Sequence, residues 1–155
     1  MYLLLGIAVA WCQQLETALV KLLEARQYDT ARPLDERWAT VSKWLDQVAG
    51  QLVEKLGVAP AIETDLKAAI GRRNRLVHDA WRLYHAGQDQ QASFDLWEPW
   101  LRDEAAMIYS VGQGIEAVAA ALRDAHANGT DLGDSDMVRV WREKVGASVE
   151  PRPDR

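Results

Sequence analysis

The sequence predicts an all-α protein, an antiparallel four-helix bundle with a short fifth helix near the C-terminus. In four long segments, apolar residues recur at alternating steps of three and four, which is the spacing of one helical face. The connections between these segments are short, so neighbouring helices are expected to run in opposite directions. No segment shows the sustained alternation of apolar and polar residues that is typical of a β-strand.

The first two segments each have a continuous apolar face. The first face is formed by Leu4, Ala8, Trp11, Leu15, Ala18 and Leu22. The second segment begins at Pro33-Leu34-Asp35, where Asp35 can cap the helix, and ends at Gly57, because glycine favours helix C-termini. Its face is formed by Trp38, Val41, Leu45, Val48, Leu52 and Leu56. We expect both faces to contribute to one core.

The third and fourth segments follow the same pattern. The third begins at Pro60, which suits the first position of a helix, and stops at Gly87. Its face is formed by Ile62, Leu66, Ala69, Arg73, Leu76 and Ala80. The fourth is predicted to begin near Glu98-Pro99 and to end at Asn128-Gly129. Its face is formed by Leu101, Ala105, Ile108, Val111, Ile115, Val118 and Leu122.

The remaining sequence predicts one domain and a tail. A short fifth helix is predicted from Asp136 to Val145, with Val140 and Trp141 as its anchor. Repeats, low-complexity stretches and linkers are absent, so residues 1–146 are interpreted as a single bundle domain. Residues 147–155 carry two prolines and alternating charges, which predict a flexible C-terminal tail.

Composition narrows the class of protein. A net charge of −5 argues against a protein that coats nucleic acid non-specifically, since that binding depends on neutralising phosphates. The single cysteine, Cys12, excludes a disulfide framework, and its place in an apolar helix predicts a buried structural thiol. The uncharged opening stretch, residues 2–12, lacks the features of a signal peptide and is too short to span a bilayer. We therefore expect a cytoplasmic protein with no membrane segment.

Residues 67–82 form a basic island on this acidic chain. Its cations are Lys67, Arg72, Arg73, Arg75 and Arg82, against the single acid Asp79. Within the island, Arg73, Asn74 and His78 place a guanidinium, a carboxamide and an imidazole in one short window. Arginine presents a planar set of donors that matches phosphate oxygens, and histidine exchanges protons near neutral pH. A solvated helix face is the alternative interpretation.

Arg73 falls on the apolar face of the third helix. A charge there is costly unless it is paired or faces solvent or a partner. His78 lies about 140° further around an ideal helix, whereas Asn74 and His78 stack one turn apart. Two interpretations remain open. Either Arg73 pairs with a carboxylate at the edge of the core and His78 only covers the surface, or the two residues act together on a phosphate.

The stretch Arg73-Asn74-Arg75-Leu76-Val77-His78 resembles the R-x4-6-H motif of the HEPN superfamily, with a polar residue after the Arg and an apolar pair before the His. HEPN domains are helical bundles of similar size. The resemblance implies a metal-independent endoribonuclease that works as a homodimer, each subunit giving its Arg and His to one cleft. It also implies a toxin or phage-defence role, with a cognate antitoxin or nucleotidyltransferase as candidate partner. Many HEPN proteins carry a Tyr two residues after the His, where this chain has Ala80.

Cleavage of RNA without a metal assigns expected roles to these residues. A base must take the proton of the 2′-hydroxyl, an acid must protonate the leaving 5′-oxygen, and a cation must hold the charge of the phosphorane. His78 and its symmetry mate are expected as base and acid, and Arg73 as the phosphate ligand. Asn74 is expected to orient the imidazole or a phosphate oxygen. The expected contacts to flanking RNA are Arg72, Arg75 and Arg82. A HEPN-like bundle that binds a partner protein or nucleotide and cuts nothing is the rival function.

A homodimer is also expected from apolar surface. The first helix is apolar around most of its circumference from Tyr2 to Cys12, and Trp81, Trp97 and Trp100 lie near the motif. Interfaces favour Trp and Arg.

Other motifs are weaker. Gly112-Gln113-Gly114-Ile115-Glu116-Ala117 matches a dinucleotide-binding pattern, but no strand is predicted beside it, so close helix packing is the expected reason for both glycines. Asp131, Asp134 and Asp136 fail the spacing of a calcium-binding loop, and no Cys or His pair has zinc-ligand spacing. We expect no metal and no cofactor.

Overall fold

The computed structural model describes residues 2–26, 33, 35, 36, 39, 43, 49–86 and 90–146. Five helices span most of this part of the chain, which contains no strand. They are α1 (Tyr2–Arg26), α2 (Ala49–Leu56), α3 (Pro60–Ala86), α4 (Gln90–Ala127) and α5 (Asp134–Val145). The predicted all-α class is confirmed for these residues, and the packing of the helices is compatible with a bundle.

One core joins all five helices. The helix pairs α1 with α4 and α4 with α5 pack most extensively. From α4 the core receives Leu101, Ile108, Val111, Ile115, Val118 and Leu122, which lie on the predicted face. Leu15, Leu66 and Ile108, three of the residues predicted for the core, are buried. The fourth, Leu45, lies outside the described residues.

Hydrogen bonds of Arg26 connect the C-terminal end of α1 to the C-terminal end of α2. Arg26 Nε donates to the carbonyl oxygen of Leu56 at 3.2 Å, and Arg26 Nη2 donates to that of Gly57 at 2.6 Å. The last carbonyls of a helix lack partners within the helix, so this guanidinium satisfies that of Leu56 and also binds that of Gly57, the residue after the helix. Gly57 has a φ of 56°, the left-handed conformation in which glycine commonly ends a helix. The predicted end at Gly57 is therefore confirmed.

Two helices begin earlier in the sequence than predicted. The fourth helix was predicted from Glu98-Pro99, but α4 begins at Gln90 and contains Pro99. Proline removes one backbone donor, yet a helix can pass through it when the flanking residues favour helix, and residues 90–97 contain neither glycine nor another proline. The fifth helix begins at Asp134 rather than Asp136, directly after Gly133.

The short helix α5 is held by Trp141. Its indole lies 2% exposed, and Nε1 donates to Asp65 Oδ2 on α3 at 2.8 Å. Met137 and Val145 are buried on the same face. Trp141 is the predicted anchor, whereas Val140 is only partly buried at the margin of the core.

The two glycines of α4 have different surroundings. A Cβ at Gly114 would lie 2.5 Å from Val145 Cγ2 and 3.0 Å from Trp141 Cε3, so α5 packs directly against this backbone. A Cβ at Gly112 would meet nothing within 4 Å. Close packing therefore explains Gly114, as predicted, but it does not explain Gly112.

One described stretch, Glu98–Ala127 within α4, is long and apolar enough to span a membrane by length and composition. Half of its most apolar window is buried inside the bundle. Packing against α1 and α5 accounts for its composition.

Several predictions lie outside the described residues. Most of the second predicted helix before Ala49 and the C-terminal tail, 147–155, are among them. The side chains of residues 79–97, including those of Trp81, Arg82 and Trp97, are outside the description as well.

Candidate functional site

Arg73 is held by carboxylate and carboxamide groups. Its Nη2 forms an ion pair with Glu16 Oε1 on α1, and its Nη1 donates to Asn74 Oδ1 at 3.0 Å. The side chain of Arg73 is 24% exposed, and its Nε is buried with no hydrogen-bond partner. The pairing that the apolar position of Arg73 requires is thus supplied by α1. Pairing with a carboxylate is one of the two interpretations that the sequence left open for Arg73, and the sequence could not select Glu16, because that choice depends on how α1 and α3 are aligned.

Arg72 pairs with α4, not with α1. Its Nη1 lies 3.3 Å from Glu104 Oε1 on α4, and the Glu104 side chain is only 7% exposed. The second carboxylate oxygen, Oε2, is buried without a hydrogen-bond partner. Adjacent arginines on α3 therefore bond to two different helices. Arg72 was predicted to contact RNA, whereas its observed partner is a buried carboxylate of the same chain.

Asn74, Arg75 and His78 are exposed on α3. Asn74 and His78 are one turn apart, so their side chains lie on one face of the helix. His78 forms no hydrogen bond with any other described side chain, including that of Arg73. Val77, next to it, is 39% exposed. The motif therefore presents an amide and an imidazole to solvent, with the guanidinium bonded to the amide from the side of the core.

The guanidinium of Arg73 retains donors that are not used. Arginine has five N–H groups, and the contacts to Glu16 and Asn74 use two of them. One further N–H remains on each terminal nitrogen. A phosphate oxygen arriving at this surface could accept them, although the positive charge of Arg73 is already offset by Glu16.

Cys12 lies near this ion pair. Burial raises the pKa of its thiol, the positive charge of Arg73 opposes that shift, and the negative charge of Glu16 adds to it. The thiol is free and 3% exposed. The predicted burial of Cys12 is confirmed, and a protonated, buried thiol is a poor nucleophile.

A groove lies on the surface between α1 and α4. Its volume is about 420 Å³, and Trp11, Gln14, Tyr109, Gly112 and Gln113 are among the residues that line it. The rings of Trp11 and Tyr109 lie 5.1 Å apart between centroids, inclined at 39°. At one end of the groove, Lys21 Nζ on α1 donates to Glu116 Oε1 on α4 at 2.6 Å. Sequence analysis did not predict this groove, whose walls come from residues about a hundred positions apart.

No family model, no curated protein and no solved structure matches the chain. The resemblance to HEPN proteins therefore rests on the six residues from Arg73 to His78.

Proposed function

We propose that this protein is a metal-independent endoribonuclease, in which two copies of the motif helix form one cleft for single-stranded RNA. The observation that carries the proposal is the exposure of Asn74 and His78 on one face of α3, with Arg73 hydrogen bonded to Asn74. An imidazole open to solvent can reach a substrate. The same face holds a carboxamide to orient a reacting group.

The cleavage step needs two imidazoles in opposite protonation states. A neutral His78 takes the proton of the 2′-hydroxyl while that oxygen attacks the phosphorus. The His78 of a second subunit, in its protonated form, gives its proton to the 5′-oxygen as the phosphorus–oxygen bond breaks. The products are a 2′,3′-cyclic phosphate and a 5′-hydroxyl. One subunit contributes one motif histidine, so the proposal requires a homodimer.

Arg73 is proposed to hold the phosphate through its two remaining terminal N–H groups. Asn74 Oδ1 accepts from Nη1 and Glu16 Oε1 accepts from Nη2, and these two bonds hold the guanidinium in place. A fixed cation avoids reorganisation when charge develops on the phosphorane. Arg75, exposed on the same helix, is proposed to contact flanking RNA, and Arg82 is proposed for the same role from its sequence position.

The finer architecture belongs to the same proposal. We propose the antiparallel four-helix arrangement with a short fifth helix. The bonds that bring the end of α1, at Arg26, to Gly57 just before α3 support opposite directions for α1 and α3. The pairs Trp11 with Tyr109 and Lys21 with Glu116 instead favour the same direction for α1 and α4. A cytoplasmic location, a toxin or phage-defence role and regulation by an antitoxin or nucleotidyltransferase are further parts of the proposal. The toxin or defence role and its regulators rest on the resemblance of residues 73–78 to the HEPN motif, and the location rests on the single cysteine.

The test is an RNA cleavage assay with purified protein in excess EDTA. Wild-type protein should cut single-stranded RNA, and His78→Ala should abolish cleavage without changing the helical content. Arg73→Ala should lower the rate by about a hundredfold, the usual effect of removing a group that holds transition-state charge. Arg75→Ala is the matched control on the same helix and should cost far less. Cleavage that survives His78→Ala, or that requires a divalent metal, would contradict the proposal.

A second candidate function is a bundle that binds a partner protein or nucleotide without cutting it. The observation that favours it is the ion pair of Arg73 with Glu16, because the charge needed by the phosphorane is already offset within the subunit. EDTA-resistant cleavage by the wild-type protein distinguishes the two functions, and Glu16→Gln tests what the ion pair does for Arg73. The nuclease should lose activity when Arg73 loses its support, whereas a non-catalytic bundle shows no EDTA-resistant cleavage in either form.

A further inference from the structure

Gly112 lacks a structural explanation within the bundle. Glycine is unfavourable inside a helix, and it is usually retained there where another backbone or side chain approaches closely. Gly114 meets that condition through Val145 and Trp141. Gly112 does not, because a Cβ there would meet no atom of the described residues within 4 Å. The space beside Gly112 is the groove between α1 and α4.

The other walls of the groove combine a flat apolar surface with hydrogen-bonding groups. Trp11 and Tyr109 form a ring pair, and Tyr109 is 46% exposed, so part of its ring is open to a ligand. Gln14 and Gln113 place exposed carboxamides on opposite helices. A carboxamide offers both a donor and an acceptor, the combination that matches the edge of a nucleobase.

The charge of the groove selects against an anionic ligand. Lys21, a cation of the lining, is bonded to Glu116, an acid of the lining. The pair leaves no excess positive charge for a phosphate. A neutral ring that can stack on an aromatic side chain and hydrogen bond along its edge fits this lining best. The volume of about 420 Å³ lies within the range of small-molecule sites.

We propose that the groove binds a nucleobase, presented as a free nucleoside, which stacks beside Tyr109 and approaches the α4 backbone at Gly112. The groove residues are separate from Arg73, Asn74 and His78, so this site does not depend on the proposed cleavage.

The test is a titration of the full chain with adenosine, inosine, cytidine and uridine, followed by ligand-observed NMR. At least one nucleoside should show saturable binding with a Kd below about 1 mM. Gly112→Leu, which fills the groove, should weaken that binding at least tenfold. Gly50→Leu is the matched control, since Gly50 is also a helical glycine with no atom within 4 Å of an added Cβ. It should leave the Kd unchanged.

A second variant and a second ligand complete the test. Tyr109→Ala removes the exposed ring and should also weaken binding, which keeps the test valid if Gly112→Leu fails to fold. The 5′-monophosphate of the bound nucleoside should bind no more tightly than the nucleoside itself. Absence of saturable binding by all four nucleosides, or equal binding by Gly112→Leu, would overturn the proposal. Tenfold tighter binding of the monophosphate would also overturn it, because it would indicate a phosphate site.

Discussion

Adjacent arginines on α3 bond to different neighbours. Arg73 pairs with Glu16 of α1, at a position where the Glu16 side chain is still 37% exposed, while Arg72 pairs with Glu104 of α4, which is almost fully buried. A buried carboxylate left without its partner is far more costly than an exposed one. Arg72 should therefore matter more to stability, whereas Arg73 is the arginine proposed to act on a phosphate.

Arg72→Ala should lower the free energy of unfolding by about 2–3 kcal/mol, because it leaves the Glu104 carboxylate buried and unpaired. The expected cost is below that of a fully buried pair, since Arg72 itself is 24% exposed. Arg102→Ala is the control, as its pair with Glu98 is on the surface and should contribute less than about 0.5 kcal/mol. Urea denaturation measures both values. Equal losses would contradict this account of Glu104.

The Cys12 thiol should resist alkylation in the native protein. Burial raises the pKa of this thiol, so the reactive thiolate is scarce at neutral pH and the sulfur is also inaccessible. Iodoacetamide at pH 8 should modify it slowly in the folded chain and rapidly in guanidinium chloride, as followed by mass spectrometry. Fast modification of the folded chain would show that the region around Cys12 opens.

At the scale of elements, α4 is the helix that organises the rest. It packs on both α1 and α5, and these are the two most extensive helix contacts in the described part of the chain. Gly114 lies at the close contact and Gly112 beside the open groove. Substitution by alanine should therefore have opposite effects on stability at these two glycines, which lie two residues apart.

Gly114→Ala should destabilise the protein by about 1–3 kcal/mol, because the added methyl group would overlap Val145 and Trp141. Gly112→Ala should instead stabilise it by up to about 1 kcal/mol, since alanine favours helix and nothing lies near the added Cβ. Thermal unfolding followed by circular dichroism measures both effects. A destabilising Gly112→Ala would show that the space beside it is smaller than the structure indicates.

The helices and their buried faces followed from apolar spacing, because period and burial are linked directly through the geometry of the helix. Leu15, Leu66 and Ile108 are buried as predicted. The start of α4 did not follow, since a proline can end a helix or lie within one, and local sequence does not distinguish the two cases. The partners Glu16 and Glu104 did not follow either, because they depend on how distant helices align.

For the whole molecule, the proposed cleft requires two chains. Val9 and Val77 are large apolar side chains about 40% exposed, and Val77 adjoins His78. The expectation of a dimer rests on the need for two motif histidines in one cleft. Light scattering at micromolar concentration should therefore give the mass of a dimer, about twice 17.4 kDa. A monomeric mass would contradict the composite site even if the fold is correct.

The measurement that tests the central claim most directly is the chemical identity of the RNA ends produced in EDTA. Attack by the 2′-hydroxyl, assisted by two imidazoles, predicts 2′,3′-cyclic phosphate and 5′-hydroxyl ends from the wild-type protein and no fragments from His78→Ala. Mass spectrometry of the fragments distinguishes these ends from others. Fragments with 3′-hydroxyl and 5′-phosphate ends, or the same fragments from His78→Ala, would contradict the account.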